Sequence, residues 1–439
     1  MPFFTSSDKA LWHLALPMIF SNITVPLLGL VDTAVIGHLD SPVYLGGVAV
    51  GATATSFLFM LLLFLRMSTT GLTAQAFGAK NPQALARALV QPLILALGAG
   101  LFIALFRTPI IDLALHIVGG SEAVLEQARR FLDIRWLSAP ASLANLVLLG
   151  WLLGVQYARA PVILLIVGNI LNIVLDLWLV MGLHMNVQGA ALATVIAEYA
   201  TLLIGLMMVR KVLHLRGVSL AMLKQAWRGN FRRLLALNRD IMLRSLLLQL
   251  CFGAITVLGA RLGSDVIAVN AVLMTLLTFT AYALDGFAYA VEAHSGQAYG
   301  ARDGSQLLDV WRAACRQSGI VAVLFSMVYA LFGEQIAALL TSLPQIQHLA
   351  DRYLFWQVVL PLVGVWCYLL DGMFIGATRA AEMRNSMAVA AVGFALALLT
   401  LPLLGNHGLW LALTVFLALR GLSLAFIWRR HWRNGTWFA

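Results

Sequence analysis

A few acidic residues of this chain interrupt long apolar runs, and chemistry could reside there. In the first half they are Asp32, Asp176 and Glu198; in the second they are Asp285, Glu292 and Asp371. An ionisable group inside an apolar helix is costly unless it is paired, so each marks a candidate site. The work open to a buried carboxylate is to hold a cation or to carry a proton. Asn169, Asn172 and Asp176 stand three and four residues apart, which sets them on one face of a helix. A face with two amides and an acid is directed into protein rather than lipid. Asp32 lies about 20 residues into its run and Asp176 about 15 into a run of the same direction, so both sit toward the outer side. Asp32, Asn172 and Asp176 can then form one polar cluster. Two carboxyls in one buried site exchange a proton as a unit. The plainer alternative is a satisfied polar pair that ties the two segments together.

Asp285 and Glu292 are seven residues apart, thus on one helical face, toward the inner end of their run. Asp371 lies in the inner part of another run. Asp285 and Asp371 are candidates for a substrate cavity that holds a cation; the alternative is a solvated helix end, and this weighs most for Glu292. Glu198, a third cavity candidate, has no charged neighbour in sequence. Pro17 and Pro26 lie within the first apolar run. A proline inside a helix removes a hydrogen bond, and Pro26 would free the carbonyl of Asn22. That makes either a hinge below Asp32 or a static kink.

Other chemistry is unsupported. The nine histidines form no HExxH pattern, so no metal site is expected. There is no GxxxxGK[ST], so ATP is not the energy source. Cys251, Cys315 and Cys367 are far apart and fit no metal spacing. No resident cofactor and no enzymatic activity are expected.

These residues need a scaffold, and composition defines it. Of 439 residues 61% are hydrophobic and 11% are charged, where a soluble globular chain carries about 25% charged. The mean hydropathy is +0.89. Polar surface for a soluble enzyme is lacking. The net charge of +10 fits basic loops of a membrane protein better than a nucleic-acid partner. A crossing helix needs about 20 apolar residues. Twelve such runs can be read, at 11–37, 46–70, 88–107, 131–154, 161–182, 187–209, 240–262, 266–291, 313–333, 353–376, 386–404 and 408–428. The expected fold is all-α and membrane-integral, with twelve transmembrane helices. Trp12, Trp432 and Trp437 are candidates for the interfacial aromatic belt.

The chain also repeats. Gln75-Ala76-Phe77-Gly78-Ala79-Lys80 matches Gln297-Ala298-Tyr299-Gly300-Ala301-Arg302, and Gly150 to Gly154 matches Gly372 to Gly376, both at an offset of 222. Gln188-Gly189 faces His407-Gly408 at 219. The expected lobes are 1–210 and 239–439, joined by a basic linker at 211–238. A repeat of six spans keeps its direction, which is transporter architecture with a cavity between lobes. At the 222 offset Asp32 faces Ala254 and Asp176 faces Leu398, so a coupling site is expected in one lobe only.

The order of these motifs resembles the MATE family, the multidrug and toxic compound extrusion transporters, nearest its DinF-type branch. The resemblance rests on Leu16-Pro17 through Asp32 to Gly37, Gln75 to Ala79, Gly150 to Gly154, Asn169, Asn172, Asp176 and Val187 to Thr194. It implies a secondary antiporter that exports cationic, amphipathic small molecules in exchange for protons or sodium. It also implies that Asp32, Asn172 and Asp176, with Asn169, form the cation site of the first lobe. Asp371 falls where the sodium-linked branch has an acid, but that branch's acid in the seventh span is absent, with Gln249 nearby; this favours protons. The tyrosine that some relatives place before the first acid is Leu28 here. The alternative is a flippase for lipids or lipid-linked oligosaccharides, whose anionic cargo calls for a basic cavity. The expected setting is the bacterial inner membrane, as a monomer.

The basic residues concentrate in the even-numbered loops, the linker and the tail, which predicts that both termini are cytoplasmic. A reporter fused at Ser219 should therefore read cytoplasmic; a periplasmic reading would overturn the topology.

Overall fold

The computed structural model describes residues 6–39 and 41–439, and for residues 24–33 it describes the backbone alone. Among the described residues the chain is helical and has no strand. The long helices are α1 (Ser6–Gly37), α2 (Pro42–Gly78), α3 (Pro82–Leu105), α4 (Glu122–Gly154), α5 (Arg159–Gly182) and α6 (Asn186–Leu215) in the first half. The second half has α7 (Arg232–Arg261), α8 (Ser264–Ala301), α9 (Gly304–Leu340), α10 (Pro344–Gly376), α11 (Ala380–Leu404) and α12 (Asn406–Asn434). Each expected run falls on one of these helices, with overruns of a residue or two at Arg107 and Leu262. From α2 to α12 all eleven are long and apolar enough to cross a membrane; α1, with 32 residues, has the length to do so.

Local chemistry sets the helix ends. Ser41, Asn81, Ser121 and Asp303 lie just before α2, α3, α4 and α9, and each side chain accepts a bond from a first-turn backbone N–H. Pro42 and Pro82 follow two of these caps, where a missing N–H costs nothing.

The repeat is visible in backbone geometry. Non-glycine residues adopt a left-handed conformation at Lys80 and Gln156 and again at Arg302 and Thr378, both pairs 222 apart. Asn186 and Gly405, alike in positive φ, form a third pair at 219, so the shift in offset lies between the second and third turns. The helix crossings repeat as well. A Cβ added to Gly150 would stand 2.6 Å from the carbonyl oxygen of Arg66, and one on Gly372 would stand 2.7 Å from that of Ala288. Gly154 meets Thr73 and Thr70, and Gly376 meets Ser295 and Glu292, all at the same offset. Small residues four apart let two helix backbones approach closely, the main source of attraction between helices in lipid. In each half the fourth helix therefore forms the hub. α2 and α3 pack on α4, which packs on α6, and α6 on α5; α8 and α9 pack on α10, which packs on α12, and α12 on α11.

The chain divides into two compact units, Ile23–Leu235 and a second made of Ala236–Ala439 with the residues up to Asn22. This differs from the sequence-based lobes, because the start of α1 packs with the second half. There Ile19 lies against Gly286, Asn22 Nδ2 donates to the carbonyl of Tyr282 at 3.1 Å, and Trp12 meets Phe287. The linker also departs from expectation. It is basic, as its composition says, but packed against the unit it leaves: its short helix Leu220–Ala226 packs on α3, Gln91 Nε2 donates to the Ala226 carbonyl, and Arg216 lies 4.6 Å above the ring of Phe77. Trp437 is no belt residue either. It is 1% exposed, set against Phe374 and held by Arg379, which donates to its carbonyl at 2.8 Å.

The glycine crossings give a test of the scaffold. Gly150→Ala and Gly372→Ala should each lower stability by about 1–3 kcal/mol, since a backbone oxygen cannot move aside. Gly98→Ala should be neutral, because nothing lies within 4 Å of its Cβ position. Thermal unfolding in detergent measures this; equal midpoints for all three variants would refute the crossing argument.

Candidate functional site

In the unit Ile23–Leu235, α5 carries the acid–amide face. Asp176 is fully buried and Asn172 is 2% exposed. Asn172 Nδ2 donates to Thr194 Oγ1 at 3.3 Å, and Thr194 in turn donates to the carbonyl of Ala190 at 3.2 Å. α5 is thereby fastened to the segment of α6 that carries the Gln188-Gly189-Ala190 motif. Gly189 admits the backbone of Leu179 there. Among the described residues, Oδ1 of Asn172 has no hydrogen-bond partner. Immediately after Asp176 the helix widens into a π segment, Leu177–Gly182. Such widenings are uncommon and often accompany functional positions. Asn169 is half-buried on the same helix. Asp32 and Pro26 lie outside the described side chains, so no contact of theirs enters this geometry. Pro17 is half-buried within the unbroken α1.

Glu198 gains a neighbour that no sequence window contains. Asn145 of α4 donates through Nδ2 to Oε2 of Glu198 at 3.0 Å and to its backbone carbonyl at 3.1 Å. The acid is half-buried, and it ties α6 to α4.

The other unit holds a different cluster. The sequence offers Asp371 as an acid available to a cation. In the structure its Oδ2 accepts from Arg244 of α7 at 2.6 Å and from Arg420 of α12 at 2.5 Å. All three residues are at most 7% exposed. A carboxylate held by two guanidinium groups is a structural anchor: it joins three helices, and its charge is already compensated. Asp285 of α8 lies within electrostatic reach of Arg420, Asp371, Glu292 and Arg244, and it is half-buried. Glu292, weighed above as a solvated end, is 2% exposed. The sequence reading missed Arg244. It stands four residues inside an apolar run and resembles one more base at its inner edge. A signal did exist, because a buried guanidinium demands an acid and Asp371 was at hand. Asp8 was missed in the same way: it is 1% exposed, with its Oδ2 held by Arg316 at 2.7 Å. Among the described residues, no group of three or more His, Cys, Asp or Glu could hold a metal ion.

Two copies of a six-helix unit with buried polar side chains inside apolar helices define a membrane carrier by architecture. The MatE family model matches residues 17–178 and again 241–403, one match in each half. The chain belongs to the MatE family of membrane transporters. It is 92% identical over 439 residues to DNA damage-inducible protein F of Escherichia coli K12, covering all of this chain and 96% of that one. It is 23% identical to the probable multidrug resistance protein NorM of Acinetobacter baylyi, over 95% and 93% of the two chains. The fold matches a solved MATE structure in a straight conformation with TM-score 0.85 at 21% identity, over 99% and 98% of the chains. A structure of MATE in a bent conformation matches at TM-score 0.83 and 22% identity.

The anchor makes a stability prediction. Asp371→Asn leaves two buried guanidinium groups without their carboxylate and should cost about 3–5 kcal/mol. Asp285 makes no ion pair among the described residues, so Asp285→Asn should unfold within a few degrees of the parent. Thermal unfolding in detergent decides; an unchanged midpoint for Asp371→Asn would show that the triad anchors nothing.

Proposed function

We propose that the chain is a secondary antiporter that exports cationic, amphipathic molecules in exchange for protons, with coupling at Asp32 and Asp176. One observation carries this reading: a fully buried carboxyl, Asp176, stands one helical turn from a buried amide, Asn172, in a face of α5 that continues into a π segment. The names of two relatives bear on the cargo, since both are called probable multidrug resistance protein NorM. In this reading Asp32 and Asp176 take up a proton on the outer side. Protonation removes a buried charge, so it favours a different packing of α1 around Pro26 and weakens the hold on a cationic cargo. Release of the proton to the more alkaline interior restores the site. Asn172 orients the pair, and Asn169 borders it. Pro17 and Pro26 are the hinge candidates, in a helix whose two ends belong to different units. Asp285, which makes no ion pair among the described residues, contacts the cargo; Glu198 and Asp371 hold helices.

Sodium is the second coupling ion to test. An anionic, lipid-linked cargo is the second function. Buried Arg66, Arg244 and Arg420 favour it, but two of these three are already spent on Asp371.

Transport of a fluorescent cation into or out of liposomes tests the reading, with a pH gradient or a sodium gradient imposed separately. Exchange should follow the pH gradient. Asp32→Asn and Asp176→Asn should reduce it to the level of protein-free liposomes while the protein remains folded, because a neutral amide is cheaper to bury than a charge. Asp285→Asn should change the ranking of cargoes and leave exchange intact. Undiminished proton-driven exchange in Asp32→Asn would place the coupling site elsewhere.

A further inference from the structure

A cleft of about 450 Å³ opens between α9 and α10, bordered by Arg316, Gly319, Ile320, Val323, Leu362 and Trp366. Its walls are apolar, and they are open to the surroundings: Ile320 is 57% exposed, Leu362 43% and Trp366 44%. On α9 the exposed stripe continues through Leu324, Met327, Val328 and Leu331. From Ile320 the steps are four, three, one and three residues, the i, i+3, i+4 pattern of a single helical face. On a membrane helix that face meets acyl chains.

The stripe changes character at one end. One and two turns before Ile320 stand Arg316 and Arg312, both exposed. Arg316 lies 12 residues into α9, and about 12 Å of helix separates it from Leu324 deeper in the cleft. A guanidinium has five N–H donors. Asp8 takes one of them, from Nη2 at 2.7 Å, and the Arg316 side chain keeps 43% of its surface. Its other donors have no partner among the described residues. Asp8, at 1% exposure, fixes the guanidinium in place without covering it. Gly319 completes the shape, since no atom lies within 4 Å of its Cβ position. A larger residue there would occupy the cleft.

We propose that this cleft is a binding site for one anionic phospholipid of the bilayer, with an acyl chain between α9 and α10 and the phosphate on Arg316 and Arg312. The charge at its mouth selects the ligand. Two bases at headgroup level attract an anionic headgroup, whereas a cationic cargo would be repelled. In the topology expected from the basic loops, this end of α9 faces the inner leaflet, where anionic lipids concentrate. The site is separate from the Asp32–Asp176 reading and does not depend on it.

Trp366 is the natural reporter. The full chain is reconstituted in phosphatidylcholine vesicles that contain a minor fraction of brominated lipid, either phosphatidylglycerol or phosphatidylcholine. The Trp366 signal is the difference between the parent and Trp366→Phe. Brominated phosphatidylglycerol should quench it at a concentration about fivefold lower than brominated phosphatidylcholine, or lower still, as expected for one or two bases at the surface. Gly319→Leu should abolish that preference by filling the cleft. The double variant Asp8→Asn, Arg316→Gln keeps the buried partnership neutral and should make the two lipids equivalent. Equal quenching by both lipids in the parent, or a preference retained in Gly319→Leu, overturns the site and leaves ordinary boundary lipid. Relief of quenching by a cationic dye without competition from phosphatidylglycerol also overturns it, in favour of a cargo path.

Discussion

A carboxylate withdrawn from water has to be neutralised, paired or hydrogen-bonded, and this requirement shapes both halves of the molecule. Three acids withdrawn from water, wholly or in part, draw partners from other elements. Asp371 on α10 collects Arg244 and Arg420 from α7 and α12. Glu198 on α6 is met by Asn145 on α4. Asp8 on α1 is met by Arg316 on α9. Hydrophobic attraction does not hold helices together inside a bilayer, because lipid is as apolar as leucine. These polar joints therefore add orientation to contacts that close packing at glycine supplies.

The duplication separates scaffold from chemistry. What repeats is backbone: the left-handed turns at Lys80 and Arg302, the crossings at Gly150 and Gly372, and the fourth helix as hub. What does not repeat is buried charge. At the offset of 222, Asp176 corresponds to Leu398 and Asp371 to Leu149. Asp371 depends on bases from two other helices, and at the same offset the position equivalent to Arg420 is Glu198 and that equivalent to Arg244 is Asn22, so the other half lacks the partners for such an acid. The result is one unit with an Arg–Asp–Arg anchor drawn from three helices and another with a buried acid and a buried amide one turn apart on one helix.

This separation explains what could be read from the sequence. Hydropathy runs of about 20 residues located the helices well, because a bilayer enforces length and apolarity directly. The face formed by Asn169, Asn172 and Asp176 was legible from spacing alone. Partnerships were not. Asn145 lies 53 positions from Glu198, and Arg244 lies 127 positions from Asp371. Nothing local marks either pair, and a base four residues inside a run looks like the edge of that run. The start of α1 was likewise assigned to the first half by proximity in sequence. Its partner surface at Gly286 is a small-residue gap more than 260 positions away, which only packing reveals.

The Gln-Ala-aromatic-Gly segments, read first only as markers of duplication, have a physical reason to persist. Each ends a long helix with a left-handed residue and presents an aromatic ring at 77 or 299. In the first half a later segment lies on that ring: Arg216 covers Phe77, and Arg233 Nη2 donates to Gln75 Oε1 at 3.1 Å. In the second half the tail takes the same place, with Trp437 and Phe438 against Tyr299 and Arg379 holding the tail backbone. The basic linker and the tail are thus the corresponding element of the two repeats, one bound through cation–π contact and the other through aromatic packing. Their basic residues do not simply populate loops. In the linker they fasten the end of the six-helix unit to its own second helix, so basic residues also close the fold.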